Sequence, residues 1–176
     1  MFRGQRLSSP PLLLMASLLL VAGVLTGLTG CREYDYDPRD LENDVSEAMI
    51  RHLLAHLPEM EPEVPKIYTI TLSEGMAVPR RSFVDRFDDL DIKWVSGNQM
   101  ILRSEDSRII DAETRLSPIT FQVSSQELQE DGRILVTAAW AYKDLWERRE
   151  FHVTERDGGY EIEPGELLGR SELQTL

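Results

Sequence analysis

Residues 11–28 carry no charge and consist mainly of leucine, valine, alanine and glycine, and the single cysteine of the chain, Cys31, stands just beyond them. So long an apolar run cannot sit on the surface of a water-soluble domain, so the part that folds as one must lie after it. Residues 31–176 are long enough for one ordinary domain with a real core. One cysteine permits no intramolecular disulfide, so that core must hold the fold by itself.

Arg3 and Arg6 make the start basic, and the apolar run follows from Pro11 through Leu12, Leu18 and Leu25 to Leu28. This is the charged and then apolar make-up of an export signal. An uncleaved membrane helix is the competing reading, because Pro11–Leu28 approaches the length that spans a bilayer. Gly23, Gly27 and Gly30 weaken a helix near its end and favour cleavage.

The stretch Leu28-Thr29-Gly30-Cys31 resembles the lipobox of bacterial lipoproteins. That resemblance implies a diacylglycerol thioether on Cys31, cleavage of the Gly30–Cys31 bond, and often acylation of the new amino group. Two or more acyl chains anchor stably, at about 0.8 kcal/mol per buried methylene, where one does not. The implied partner is therefore a membrane, through the lipid on Cys31, on the extracytoplasmic side of the cell envelope. An aspartate after the cysteine commonly signals inner-membrane retention; Arg32 stands here, which implies the outer membrane where the cell has one. A lipidated Cys31 also leaves no thiolate for catalysis or for a cysteine-based zinc site.

The chain has 19 Lys+Arg against 31 Asp+Glu, a net charge of −12. Such acidity repels nucleic acid and anionic bilayers, so neither is an expected partner of the folded part. It suits a soluble extracytoplasmic domain that meets a protein partner in the envelope.

The expected organisation is a signal peptide over 1–30, the lipidated cysteine and a tether over 31–39, one α+β domain over 40–165, and a loosely held tail over 166–176. Asp40 can cap a helix running to about Leu57, with Val45, Met49, Leu53 and Leu57 on one face and Pro58 as the stop. Tyr68, Ile70 and Leu72 alternate with polar residues as a half-buried strand. Ser82 and Asp85 form a capping-box pattern for a short helix carrying Phe83, Val84, Phe87 and Leu90. A short strand with Trp94 follows, and residues 98–117 read as an excursion with one short strand. Three or four antiparallel strands complete the chain: Ile119, Phe121 and Val123 in the first, Arg133 to Tyr142 in the second, Phe151 and Val153 in the third, and a turn at Asp157-Gly158-Gly159 before Ile162. An N-terminal helix and one short helix thus pack on an antiparallel sheet ending in a C-terminal meander. The ending from Arg148 to Ile162, a long strand and then Gly-Gly-aromatic-x-Ile, looks like the last hairpin of cystatin-like and nuclear transport factor 2-like domains. That likeness implies a curved sheet able to enclose a small ligand.

No residue is marked for catalysis. The chain lacks a G-x-S-x-G elbow and any phosphate-cradling glycine loop, and its carboxylates are too many for one pair to stand out. No cofactor is expected and no metal. His52 and His56 are one helical turn apart, but Leu53 stands where H-E-x-x-H needs glutamate, so they read as core-edge residues. Asp35, Asp37 and Asp40 lack the glycine and terminal glutamate of a calcium loop. Asp85, Asp88, Asp89 and Asp91 read as a solvated acidic edge, and His152 as a surface residue beside inward Phe151 and Val153. Two functions stay open: a non-catalytic binding or interaction domain with exposed aromatics such as Trp146, which is preferred, and a small-ligand pocket, as binder or enzyme. A cavity lined by Tyr68, Trp94 or Trp140 with inward polar groups would favour the second. A filled core with an exposed apolar patch would favour the first.

Overall fold

Asn43 starts the principal helix: its Oδ1 accepts from the backbone N–H of Ser46 at 3.0 Å, satisfying a donor that has no partner within the helix. The computed structural model describes residues 37–60, 66–103 and 108–171, all within one unit, Tyr36–Leu176. Helix α1 covers Asp44–Ala55 and buries Val45, Met49, Ile50 and Leu53. It begins later than Asp40 because Pro38–Leu41 forms a separate 3-10 turn, capped by Asp37 through the Arg39 N–H. The Asp40 carbonyl is taken by the Asn43 side chain at 2.7 Å. Asn43 also donates to Gln126 at 2.8 Å, which ties the helix start to the sheet. The helix ends before Leu57, whose position ahead of Pro58 disfavours helical backbone.

The main sheet has six strands: β1 (Ile67–Leu72), β2 (Lys93–Trp94), β5 (Ile119–Leu128), β6 (Ile134–Tyr142), β7 (Leu145–Arg156) and β8 (Gly159–Arg170). Their order is β2-β1-β5-β6-β7-β8. The last four form the expected antiparallel meander. The sheet as a whole is mixed, because β1 runs parallel to both β2 and β5. The chain between β1 and β2 crosses over through a short helix, α2 (Arg81–Val84), which continues as a 3-10 turn over Asp85–Phe87. With a neighbour on each side, β1 is buried at every position and is not the half-buried strand its alternation suggests. The architecture is α+β, with α1 and α2 packed on this sheet.

The core joins α1 to one sheet face through Phe121, Val123, Val136, Ala138, Phe151 and Val153. Tyr68, Phe83, Phe87, Trp94 and Phe121 extend it as an aromatic cluster with ring centroids 5.3 to 6.3 Å apart. Helix α2 starts before Ser82, with Arg80 at its cap and no side-chain cap bond. Asp85 therefore accepts from Arg81 at 2.8 Å, and no capping box forms. Part of the acidic edge fastens α1: Arg51 donates to both carboxylate oxygens of Asp89, at 2.8 and 2.9 Å. That guanidinium holds the Asp89 carboxyl below its usual range.

Residues 98–117 contain two strands, β3 (Met100–Arg103) and β4 (Arg108–Asp111), paired as a separate antiparallel hairpin. Beyond Pro164, β8 stays paired with β7 to Arg170, over the start of the stretch 166–176 expected as a loosely held tail. Irregular register between Arg148 and Phe151 absorbs Pro164, which has no N–H to give. Gly165 is needed there: a Cβ would lie 3.0 Å from the Glu150 carbonyl oxygen.

Candidate functional site

Helix α1 covers only part of its sheet face. Past its C-terminal end, strand alternation brings Trp140 of β6, Glu147 of β7 and Arg170 of β8 into one cross-strand row. The next row places Arg149 beside Ala138 and Leu167. Two adjoining clefts open over these rows. One, of about 440 Å³, lies between His52 and His56 on the helix side and Trp140, Phe151 and Ile162 on the sheet. The other, of about 340 Å³, shares His56, Trp140 and Glu147 with it and extends to Trp146, Arg170 and Ser171.

The two imidazoles stack with ring centroids 4.1 Å apart. His56 Nδ1 lies 2.8 Å from the His52 carbonyl oxygen. A carbonyl can only accept, so Nδ1 carries the proton and the neutral ring keeps Nε2 as an acceptor. His52 also packs edge-on against Phe151 at 5.6 Å, the core-edge position expected of it. Burial, and then the neighbouring His56, lower the pKa of His52. Stacked rings do not converge on a common point. Among the described residues no group of three or more His, Cys, Asp or Glu is arranged to hold a metal ion.

The floor of the cleft is held rigidly. Arg149 donates to Glu147 at 3.2 Å and to the Gly165 carbonyl at 3.0 Å. Trp146, 44% exposed, lies over Gly169, where a Cβ would come within 2.8 Å of the ring. The Ser171 hydroxyl accepts from the Trp146 N–H at 2.9 Å and so closes the strand end. Neither imidazole is hydrogen-bonded to a hydroxyl or carboxylate among the described residues, the pairing that nucleophilic or acid–base catalysis would use. The arrangement supplies an aromatic platform, apolar walls and fixed polar groups, which together can hold a ligand.

A larger cleft, of about 540 Å³, runs between the Val78–Val84 segment and Trp94 to Asn98. Its arginines are spoken for: Arg80 bonds Glu42, and Arg81 bonds Asp85. Trp94 belongs to the packed aromatic cluster, and its buried Nε1 has no partner. Tyr68 is likewise core. Of the three aromatic residues singled out as cavity candidates, Trp140 alone lines the cleft below α1.

His152 falls on the sheet face away from α1, between Leu135 and Glu163, with Nδ1 buried and unpartnered. Asp37 and Asp40 serve the 3-10 turn before α1. Gly30, Cys31, Arg32 and Asp35 lie outside the described residues. Among the described residues no helix is long and apolar enough to cross a membrane. Glu147, Arg149 and Arg170 carry no motif that marks them; only their place in the strand register joins them to Trp140. No family model, curated protein or solved structure matches the chain.

Proposed function

We propose that the chain is a lipid-anchored binding module of the cell envelope, without a catalytic role, that holds its partner in the Trp140 cleft. The observation that carries this reading is the paired cleft past the end of α1, with Trp140, His56 and Glu147 common to both halves. Its walls combine apolar area with a few fixed polar groups, as binding sites do. Exposed Trp146 at the same end adds an aromatic anchor of the kind that dominates contact surfaces. The anchor belongs to the proposal through the lipobox: processing would cut Gly30–Cys31, lipidate Cys31 and leave a short tether. The tether joins the domain at the N-terminal end of α1, and the cleft opens at its C-terminal end. The twelve-residue helix between them is about 18 Å long.

A small-ligand reading is the second choice, and Trp140 with its polar neighbours is what favours it. Native mass spectrometry tests both. A soluble form starting at Arg32, recovered gently from the envelope compartment, should carry a stoichiometric bound molecule or protein, and Trp140→Ala should lose it. Wild-type protein that stays bare, and that captures nothing on crosslinking in the envelope, would remove the binding reading.

A further inference from the structure

Resting on the small-ligand form of that binding reading, we infer that the cleft is selective for a flat aromatic anion, a ring system that lies on Trp140 and places one acidic group at the Arg170 guanidinium. Three observations support the charge assignment. Arg170 lines the cleft, and among the described residues its guanidinium has no ion pair and no hydrogen bond, whereas Arg149 in the next row donates to Glu147 and to the Gly165 carbonyl. Glu147 is tied to Arg149, so the free charge of the Trp140–Glu147–Arg170 row is the cation at its end. In a chain with 31 acidic against 19 basic residues, this cleft is a place where bases are not outnumbered: Arg149 and Arg170 face Glu147 and Glu59, and two imidazoles are added.

The register supplies the size. Neighbouring strands lie about 4.8 Å apart, so the Cα atoms of Trp140 and Arg170, two strands apart, are separated by about 10 Å. A ligand of two fused or linked rings with a terminal sulfonate, carboxylate or phosphate spans that gap. Its ring can stack on the indole while a charge-assisted hydrogen bond forms at the guanidinium.

Two probes sharing one ring framework separate the charge from the apolar contribution: anilinonaphthalene sulfonate, which is anionic, and phenylnaphthylamine, which is neutral. The protein is the soluble form starting at Arg32, whose core from Leu41 to Val153 lies within one unit. Both titrations are followed by probe fluorescence. The expected result is saturable binding of both, with the sulfonate about fivefold to tenfold tighter. Arg170→Gln should bring that ratio to about one, while Arg39→Gln, an exposed cation away from the cleft, should leave it unchanged. Arg170 is exposed, so its replacement does not endanger the fold. Trp140→Leu should weaken both probes alike. Equal affinity for the two probes would overturn the anion assignment and leave the cleft as a binding site. A sulfonate preference that survives Arg170→Gln would overturn the role of Arg170. Failure of both probes to bind would overturn the inference together with the reading of the cleft.

Discussion

His52 is the residue whose environment has the clearest consequence in solution. It is wedged between His56 and Phe151, and burial followed by the neighbouring imidazole lowers its pKa below 6.5. The folded protein therefore prefers the neutral ring, while the unfolded chain takes up a proton as soon as pH falls through the ordinary histidine value. Stability from this site is complete above the unfolded value and is lost as pH falls from there through the lower folded value. Below both it changes no further. Denaturant melts should show stability beginning to fall as pH drops through the ordinary histidine value of about 6.5, ahead of the carboxylate range, and His52→Leu should flatten that slope. An unchanged slope in the variant would show that another group governs it. Sequence spacing could place this histidine at the edge of the core. The stack with His56 depends on rotamers, which spacing does not determine.

At the scale of elements, the junction of α1 with the sheet depends on Asn43, which caps Ser46 and is joined to Gln126 by two side-chain hydrogen bonds, at 2.8 and 3.1 Å. Asn43→Ala should destabilise the protein by about 1–2 kcal/mol, as loss of a strong N-cap does. Asp40→Ala should cost less than about 0.5 kcal/mol, because its side chain is not the cap. Equal losses in denaturant melts would mean that the helix is fastened elsewhere. The buried face of α1 was legible because Val45, Met49 and Leu53 repeat at helical spacing. Its start was not, since Asp40 and Asn43 are both good caps and only long-range contact with Gln126 decides between them. The meander was legible for a similar local reason: short turns join alternating strands. Parallel pairing of β1 with β5 is non-local and leaves no mark in either strand. The hairpin of β3 and β4 was hidden because Ile101-Leu102 and Ile109-Ile110 are apolar pairs without alternation. Strand β8 past Pro164 was hidden because a proline normally ends a ladder, and here irregular pairing carries the strand through.

For the whole molecule, what could be read from the chain divides at Cys31. On the side of the proposed anchor a local motif would carry the chemistry, because such processing acts on a few consecutive residues. On the side of the domain the candidate site is assembled from α1, β6, β7 and β8, and its charged members are lost among many similar ones until register brings Glu147, Arg149 and Arg170 beside Trp140. The two halves are therefore separable in an experiment. Cys31→Ser removes the thiol that would form the thioether, so metabolic labelling of the protein with a radioactive fatty acid should disappear. Its thermal melt should remain cooperative with the same midpoint, because the core begins at Leu41 and every residue of it lies within Tyr36–Leu176. Label that persists in the variant would sink the lipid anchor at Cys31, and wild-type protein that takes up no label yet stays in the membrane fraction would restore an uncleaved apolar helix as the attachment. Loss of label accompanied by loss of the cooperative melt would show that the anchor, or the membrane it reaches, is part of what holds the domain folded.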